Sequence, residues 1–243
     1  METKISVSII CLNEAAIIDD CLQQAARVAD EIVIVDSGST DRTLQIAENH
    51  GAKIFHQDWL GYGKQKNFAL TQCSNEWVLS LDADEVLTDE LIEEIRGLVF
   101  DSDVVGYRVA RKLLVGERFI RWGGYYPDYQ LRLFRNSLGD FNEVAVHESV
   151  QLPANAKVLD LKEPLNHFSY DSLEQMDATF VKFAKLSTKK KNRFLNPPRA
   201  VFNFFYTFFY KYFLRLGFLH GATGLRLAWI HAKYSFLKYI YRM

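Results

Sequence analysis

The sequence predicts an α/β fold with a mixed sheet and a helical extension at its C-terminal end. Three observations carry this. Over the first hundred residues, short runs rich in Val, Ile and Leu alternate with segments whose apolar residues recur at helical spacing, the pattern of a parallel sheet covered on both faces. After Asp103 the helical segments give way to shorter strand-like runs, which read as a mixed or antiparallel extension. From residue 178 onward the chain is basic and aromatic, with no Asp or Glu.

The elements follow in order. "ISVSIICL" is β-branched and free of breakers, a buried strand. "EAAIIDDCLQQAARVA" has helical spacing, and "EIVIVD" is a second buried strand. "STDRTLQIAENHG" opens on cap-forming residues and closes at Gly51, a helix C-terminal signal. "AKIFHQ" is a third strand, "GKQKNFALTQC" a third helix, "EWVLSLD" a fourth strand, and "TDELIEEIRGLV" a capped helix starting near Thr88. Then come "VVGYRVARKLLV", "QLRLFR", "VAVHESV" and "KVLDL" as strands, and a helix beginning around "LNHFSYDSLEQM". "NPPRA" at 196–200 is a breaker and a boundary. The expected organisation is residues 1–177 as the catalytic domain, with halves 1–100 and 101–177, and 178–243 as a separate helical region.

Of 243 residues, 49% are hydrophobic and 24% charged, enough apolar chain for a substantial core. The net charge of -1 hides an asymmetry. Residues 178–243 hold 13 Lys and Arg, leaving 16 basic against all 30 acidic residues in 1–177. Three cysteines in no zinc-like spacing point to a reduced, cytoplasmic protein.

In a parallel sheet, ligands bind beyond the carboxyl ends of the strands. The strand ends here carry Asn13 and Glu14, then Asp36 with "SGSTD", then Asp58, then Asp82, Ala83 and Asp84. Asp41 and Asp89 read as helix caps. Asp82 and Asp84 do not, because the next helix starts later. Like charges this close repel and cost free energy to desolvate, so a positive group is expected among them. Two carboxylates at i, i+2 on a turn suit Mg²⁺ or Mn²⁺ bridging a diphosphate. A dinucleotide-binding G-x-G-x-x-G, a Walker A loop and H-E-x-x-H are all absent from the sequence.

"SIICLNE", "IVIVDSGSTD", "GYGKQKNFAL" and "VLSLDADE", in that order, resemble the successive motifs of family 2 glycosyltransferases, inverting enzymes with a GT-A (Rossmann-like nucleotide-diphospho-sugar transferase) fold. The resemblance covers residues 4–100 and extends more loosely through "DYQLRLFR" and "VHES" to about 170. Within that family the chain is similar to lipopolysaccharide core glucosyltransferases that add β-linked glucose to an inner-core heptose. The resemblance implies that Asp36 binds the base of a nucleotide sugar, usually UDP, with Asn13 and Glu14 lining the pocket. Asp82 and Asp84 match the D-x-D motif, the second the direct metal ligand and the first contacting ribose or metal. Lys64 and Lys66 lie where polar nucleotide contacts occur, and solvated helix lysines are the equal alternative. An inverting transfer needs a general base from the acceptor side. Asp128 is the first candidate and Glu148 the second. His147 is either a further metal ligand or a structural histidine. Arg132 and Arg135 read as one polar strand face. Trp122, Tyr125 and Tyr126 either stack on acceptor sugars or belong to the core.

The tail has no apolar run of the length expected of a spanning helix, about 18 residues. Aromatic residues mixed with only positive charge suit helices lying in a membrane interface on anionic lipid, and "KKKNR" at 189–193 adds to the charge. Basic residues embedded in Phe, Tyr and Leu with no nucleic-acid motif argue against nucleic acid. The expected protein is therefore a peripheral, metal-dependent hexosyltransferase at the cytoplasmic face of a bacterial inner membrane. It would use UDP-glucose and a lipid-linked saccharide, the inner-core heptose of lipopolysaccharide. The alternatives are a family 2 transferase with a polyprenyl-linked acceptor, or a non-catalytic nucleotide-sugar-binding membrane protein.

Overall fold

A computed structural model describes residues 3–143, 148–186 and 196–241. The chain divides into two compact units, one of residues 1–111 and 128–167, the other of 112–127 and 168–243.

The first unit opens with the expected alternation: β1 (Ile5–Cys11), α1 (Ile18–Ala25), β2 (Glu31–Asp36), α2 (Thr43–Asn49), β3 (Lys53–His56), α3 (Tyr62–Gln72) and β4 (Trp77–Asp82). These four strands form a parallel sheet in the order β3-β2-β1-β4. Val7, Ile9, Val33, Ile34, Val35, Val78 and Leu79 are fully buried along it, and each aliphatic side chain so buried contributes roughly 1.5–3 kcal/mol. Gly51 follows α2 at φ +69°, the left-handed conformation that ends a helix and that lacks strain only without a Cβ. After β4 come β5 (Glu85–Leu87) and α4 (Asp89–Arg96), with Thr88 Oγ1 accepting from the Leu91 N–H at 3.2 Å as the N-cap.

The chain then runs through β6 (Val104–Val115), β7 (Arg118–Phe119), β8 (Asp128–Arg135), β9 (Asp140–Phe141), β10 (Val150–Gln151), β11 (Lys157–Asp160) and β12 (Leu165–Tyr170). β8 pairs antiparallel with both β4 and β6, and β11 pairs parallel with β6, so the sheet is mixed. β9 and β10 form a small antiparallel pair of their own. "LNHFSYDSLEQM" departs from the helix expected there. Its first six residues are β12, antiparallel to β5 through Leu165 and Leu87, and the helix starts only at Leu173. Leu165 is buried, and pairing with β5 overrides the helical reading of so short a run.

The second unit holds α5 (Leu173–Leu186), α6 (Asn196–Phe209) and α7 (Ala222–Ile240), with a π-helical turn at Tyr210–Leu214 and a 3₁₀ turn at Gly217–His220. α5 runs through residue 177. "NPPRA" opens α6 rather than breaking structure, since proline is tolerated in the first turn, where its missing N–H has no partner to lose. Ile120, Met176 and Leu227 form this unit's core, with Leu113, Tyr170 and Phe180 packed on it. Tyr125 belongs to this interior. Its ring lies 4.2 Å from Lys211 Nζ and edge-on to His231, and its buried hydroxyl has no hydrogen-bond partner among the described residues. Tyr126 packs edge-on against Phe119, and Arg121 lies over Trp122. Along α6 and the following turns, Phe202, Phe205, Phe209, Phe213 and Leu214 are exposed, as is Trp229 on α7. No helix among the described residues is long and apolar enough to cross a membrane.

Candidate active site

The carboxyl ends of β1, β2 and β4 lie side by side, because β1 pairs with both neighbours in register: Cys11 faces Asp36 and Ile10 faces Asp82. The loops after β1 and β2 are laced together. Asn13 takes a left-handed backbone at φ +57°, which asparagine tolerates, and its Oδ1 accepts from the Thr40 N–H at 2.8 Å. The Asn13 N–H donates to Ser39 Oγ at 2.9 Å and the Glu14 N–H to Thr43 Oγ1 at 2.8 Å. Asp36 is buried, and its Oδ2 accepts from the Gly38 and Ser39 N–H groups at 2.8 and 3.0 Å. Burial alone would raise its carboxyl, but the Ser39 side chain and then the Ser39 and Gly38 N–H groups hold it below its ordinary value. Asp41 caps its own turn through the Thr43 N–H and also accepts from Ala15. Asp89 pairs with Arg27.

Glu14 is half-buried, and its carboxyl is pushed up to about 7 by burial, then by Asp84, then by Asp41. Carboxylates do crowd this edge, as the sequence suggested. The positive charge expected beside Asp82 comes from side chains. Lys66 Nζ lies 2.7 Å from Asp82 Oδ1, and Arg132 Nη2 lies 2.7 Å from Asp82 Oδ2. Burial would raise the Asp82 carboxyl, but Arg132 and then Lys66 hold it far below the usual range.

Lys66 and Lys64 have separate roles. Lys64 is at the surface, 3.4 Å from Glu143. Lys66 is only 4% exposed, sits over the Phe141 ring, and also reaches Glu148 Oε1 at 2.8 Å. Gly63 makes this possible: a Cβ there would lie 2.0 Å from the Asn142 carbonyl oxygen, so only glycine lets α3 approach that segment.

Arg132 is not on a polar strand face as expected. It is buried in β8, and its second carboxylate partner is Glu85, which is 0% exposed. Glu85 Oε1 also takes Arg111 Nη1 at 3.4 Å, and its Oε2 accepts from the Asp82 N–H at 3.1 Å. Arg111 in turn holds Asp128, with Nε and Nη2 at 2.9 and 2.6 Å from Oδ2. Burial would raise Asp128, while Arg111 and then the Gln130 side chain lower it, so it is ionised at neutral pH. A continuous run of alternating charge thus links Asp128, Arg111, Glu85, Arg132, Asp82, Lys66 and Glu148.

Asp84 stands apart from that run, 30% exposed, with His167 Nε2 at 3.3 Å from its Oδ2. Among the described residues no group of three or more His, Cys, Asp and Glu is arranged to hold a metal. His147 lies outside the described residues. The part-exposed Asp84 carboxylate fits Mg²⁺ or Mn²⁺, which keep most of their shell for water and phosphate, and the imidazole beside it favours Mn²⁺ over Mg²⁺, whose preferred ligands are oxygens.

The sequence profile of glycosyl transferase family 2 matches residues 6–144, from the second residue of β1 through β9, and takes in every strand end just described. The chain belongs to glycosyl transferase family 2. Two relatives extend the match to nearly the whole chain. A glycosyltransferase of Rickettsia bellii is 34% identical over 97% of this chain and 84% of its own. The lipopolysaccharide core biosynthesis glycosyltransferase LpsC of Rhizobium meliloti is 36% identical over 96% of this chain and 89% of its own. Among solved structures, S. aureus TarS 1-349 in complex with UDP-GlcNAc matches at 20% identity and a TM-score of 0.53, over 95% of this chain and 79% of that one. The fold is thus that of a GT-A-type family 2 glycosyltransferase, with C-terminal helices appended.

Proposed function

We propose that this family 2 glycosyltransferase is a metal-dependent, inverting hexosyltransferase. In this reading it moves glucose from UDP-glucose to the inner-core heptose of lipopolysaccharide, as a peripheral protein on the cytoplasmic face of a bacterial inner membrane. The observation that carries it is the Asp82–Ala83–Asp84 turn at the end of β4, with Asp82 clamped between Lys66 and Arg132 and Asp84 left open beside His167. The core-biosynthesis name of the Rhizobium relative supports the acceptor, and the UDP-GlcNAc complex of TarS supports a UDP-linked donor.

Asp84 and His167, with His147 a further candidate, would hold the divalent ion, which when bound neutralises charge on the departing diphosphate. The laced loops bearing Asn13, Glu14 and Asp36 form the nucleotide side; exposed Lys64 adds positive charge there, while Lys66 serves it through Asp82, which it holds ionised. Asp128 takes the proton of the acceptor hydroxyl. The hydroxyl oxygen then attacks the anomeric carbon opposite UDP, the bond from that carbon to the β-phosphate oxygen breaks, and UDP leaves with the electron pair, inverting the centre. Both candidates are paired with a cation, and Asp128 is preferred to Glu148 because its side chain is 42% exposed whereas Glu148 is 14% exposed. The exposed Phe202, Phe205, Phe209 and Trp229, in a region whose charges are all positive, support docking on anionic lipid.

The test is transfer of labelled hexose from UDP-glucose to heptose-containing core lipid, with Mg²⁺ or Mn²⁺, by wild type and Asp84→Ala. Metal-dependent transfer that the variant loses is the expected result. UDP release without transfer to that lipid moves the acceptor to a polyprenyl-linked saccharide. UDP binding without turnover supports a binding protein instead.

A further inference from the structure

Arg111 and Asp128 face each other directly across the β6–β8 pair. Two of the three guanidinium nitrogens of Arg111 converge on Asp128 Oδ2, and the third points back to Glu85. Gln130 Nε2 donates to the other oxygen, Oδ1, at 2.8 Å. An ionised carboxylate offers about four lone-pair sites. Among the described residues these bonds take three of them, two on Oδ2 and one on Oδ1, and the second position on Oδ1 is the one a substrate hydroxyl would use.

Glu85 gives this arrangement a fixed origin. It is fully buried, and its two oxygens serve different groups: Oε2 the Asp82 N–H, Oε1 both Arg111 and Arg132. An amide cannot replace it. With the glutamine oxygen on the Asp82 N–H, its NH₂ would face two guanidiniums; turned over, NH₂ would face N–H.

We propose that Arg111, anchored on buried Glu85, is the positioning residue that aims Asp128 Oδ1 at the acceptor hydroxyl. This rests on the reading of Asp128 as the base. A general base must be within hydrogen-bond reach and correctly oriented, and a misplacement of about 1 Å costs on the order of 100-fold. Lysine at 111 keeps the charge but has no fork, so it cannot hold Asp128 and Glu85 together.

The test compares full-length wild type, Arg111→Lys, Glu85→Gln, the double variant and Asp128→Asn. The readouts are kcat and KM for UDP-glucose and core lipid, and UDP affinity by calorimetry. Arg111→Lys is expected to lower kcat about 10- to 100-fold while donor KM and UDP affinity stay within about 3-fold of wild type. Glu85→Gln should lower kcat comparably, and the double variant should be no worse than the weaker single variant, as for residues acting through one another. Wild-type kcat in Arg111→Lys overturns the proposal. So does a parallel loss of kcat and UDP affinity, which marks a merely structural role. If Glu85→Gln does not fold, Arg111→Lys decides alone. Transfer retained in Asp128→Asn, or absent from wild type, overturns the parent reading and this proposal with it, whereas wild-type kcat in Arg111→Lys with transfer lost in Asp128→Asn overturns this proposal alone.

Discussion

The Lys66 ammonium lies 2.7 Å from Asp82 Oδ1, buried beneath the turn that carries Asp84. Breaking a buried pair by removing one partner leaves an uncompensated charge, and here two carboxylates, Asp82 and Glu148, would lose the same cation. Lys66→Met is expected to lower stability by about 3–5 kcal/mol. Urea unfolding of wild type and variant checks this. A loss under about 1 kcal/mol would mean that the pair is dispensable.

The two candidate bases separate by substitution. Asp128→Asn is expected to reduce kcat by about 100- to 10,000-fold. Glu148→Gln removes only a partner of Lys66 and should reduce it far less, with its main effect on stability. Initial rates of hexose transfer decide, and the reverse ranking would make Glu148 the base.

Acid stability should report a site at the opposite end of the sheet. Glu31 accepts from Lys53 Nζ, Ser6 Oγ and the Ser74 N–H and hydroxyl. Burial would raise its carboxyl, but these bonds lower it from 4.5 to about 2. A group depressed on folding contributes stability that is fully present above about 4.5 and is lost as pH falls toward 2. Glu31→Gln should therefore cost about 2 kcal/mol at pH 7 and progressively less below pH 4. Thermal unfolding midpoints from pH 7 to pH 3 test this, and a pH-independent difference would contradict it.

The membrane reading is tested without any sugar chemistry. Replacing exposed Phe202, Phe205 and Phe209 with serine should weaken binding to phosphatidylglycerol-containing vesicles at least about 10-fold, since each ring buried in the interface contributes roughly 1.5–3 kcal/mol. Vesicle sedimentation measures it. Unchanged binding would remove these helices from the account.

Much of the site was legible because it is local. Asn13, Asp36 and Asp82 each follow directly after an apolar run, and any parallel sheet brings such strand ends to one edge. The family motifs are short segments of this kind, so they were readable too. Arg132 was not: its spacing in "QLRLFR" is that of an ordinary half-exposed strand, and its partner Glu85 lies 47 residues away. Only the antiparallel register of β8 against β4, with Leu133 opposite Leu79, brings the two together. His167 was hidden in the same way, in a run read as helical that pairs with β5 and faces Glu85. Glu85 itself stood in plain view beside the D-x-D residues, yet nothing local distinguishes a buried keystone carboxylate from a solvated one.

The most direct test of the proposed chemistry is the stereochemistry of the product. UDP-α-glucose is incubated with heptose-containing core lipid and metal, and the anomeric configuration of the transferred sugar is read by proton NMR. A single displacement assisted by Asp128 gives the β-linked glucoside. An α-linked product would contradict the inverting mechanism and, with it, the role assigned to Asp128.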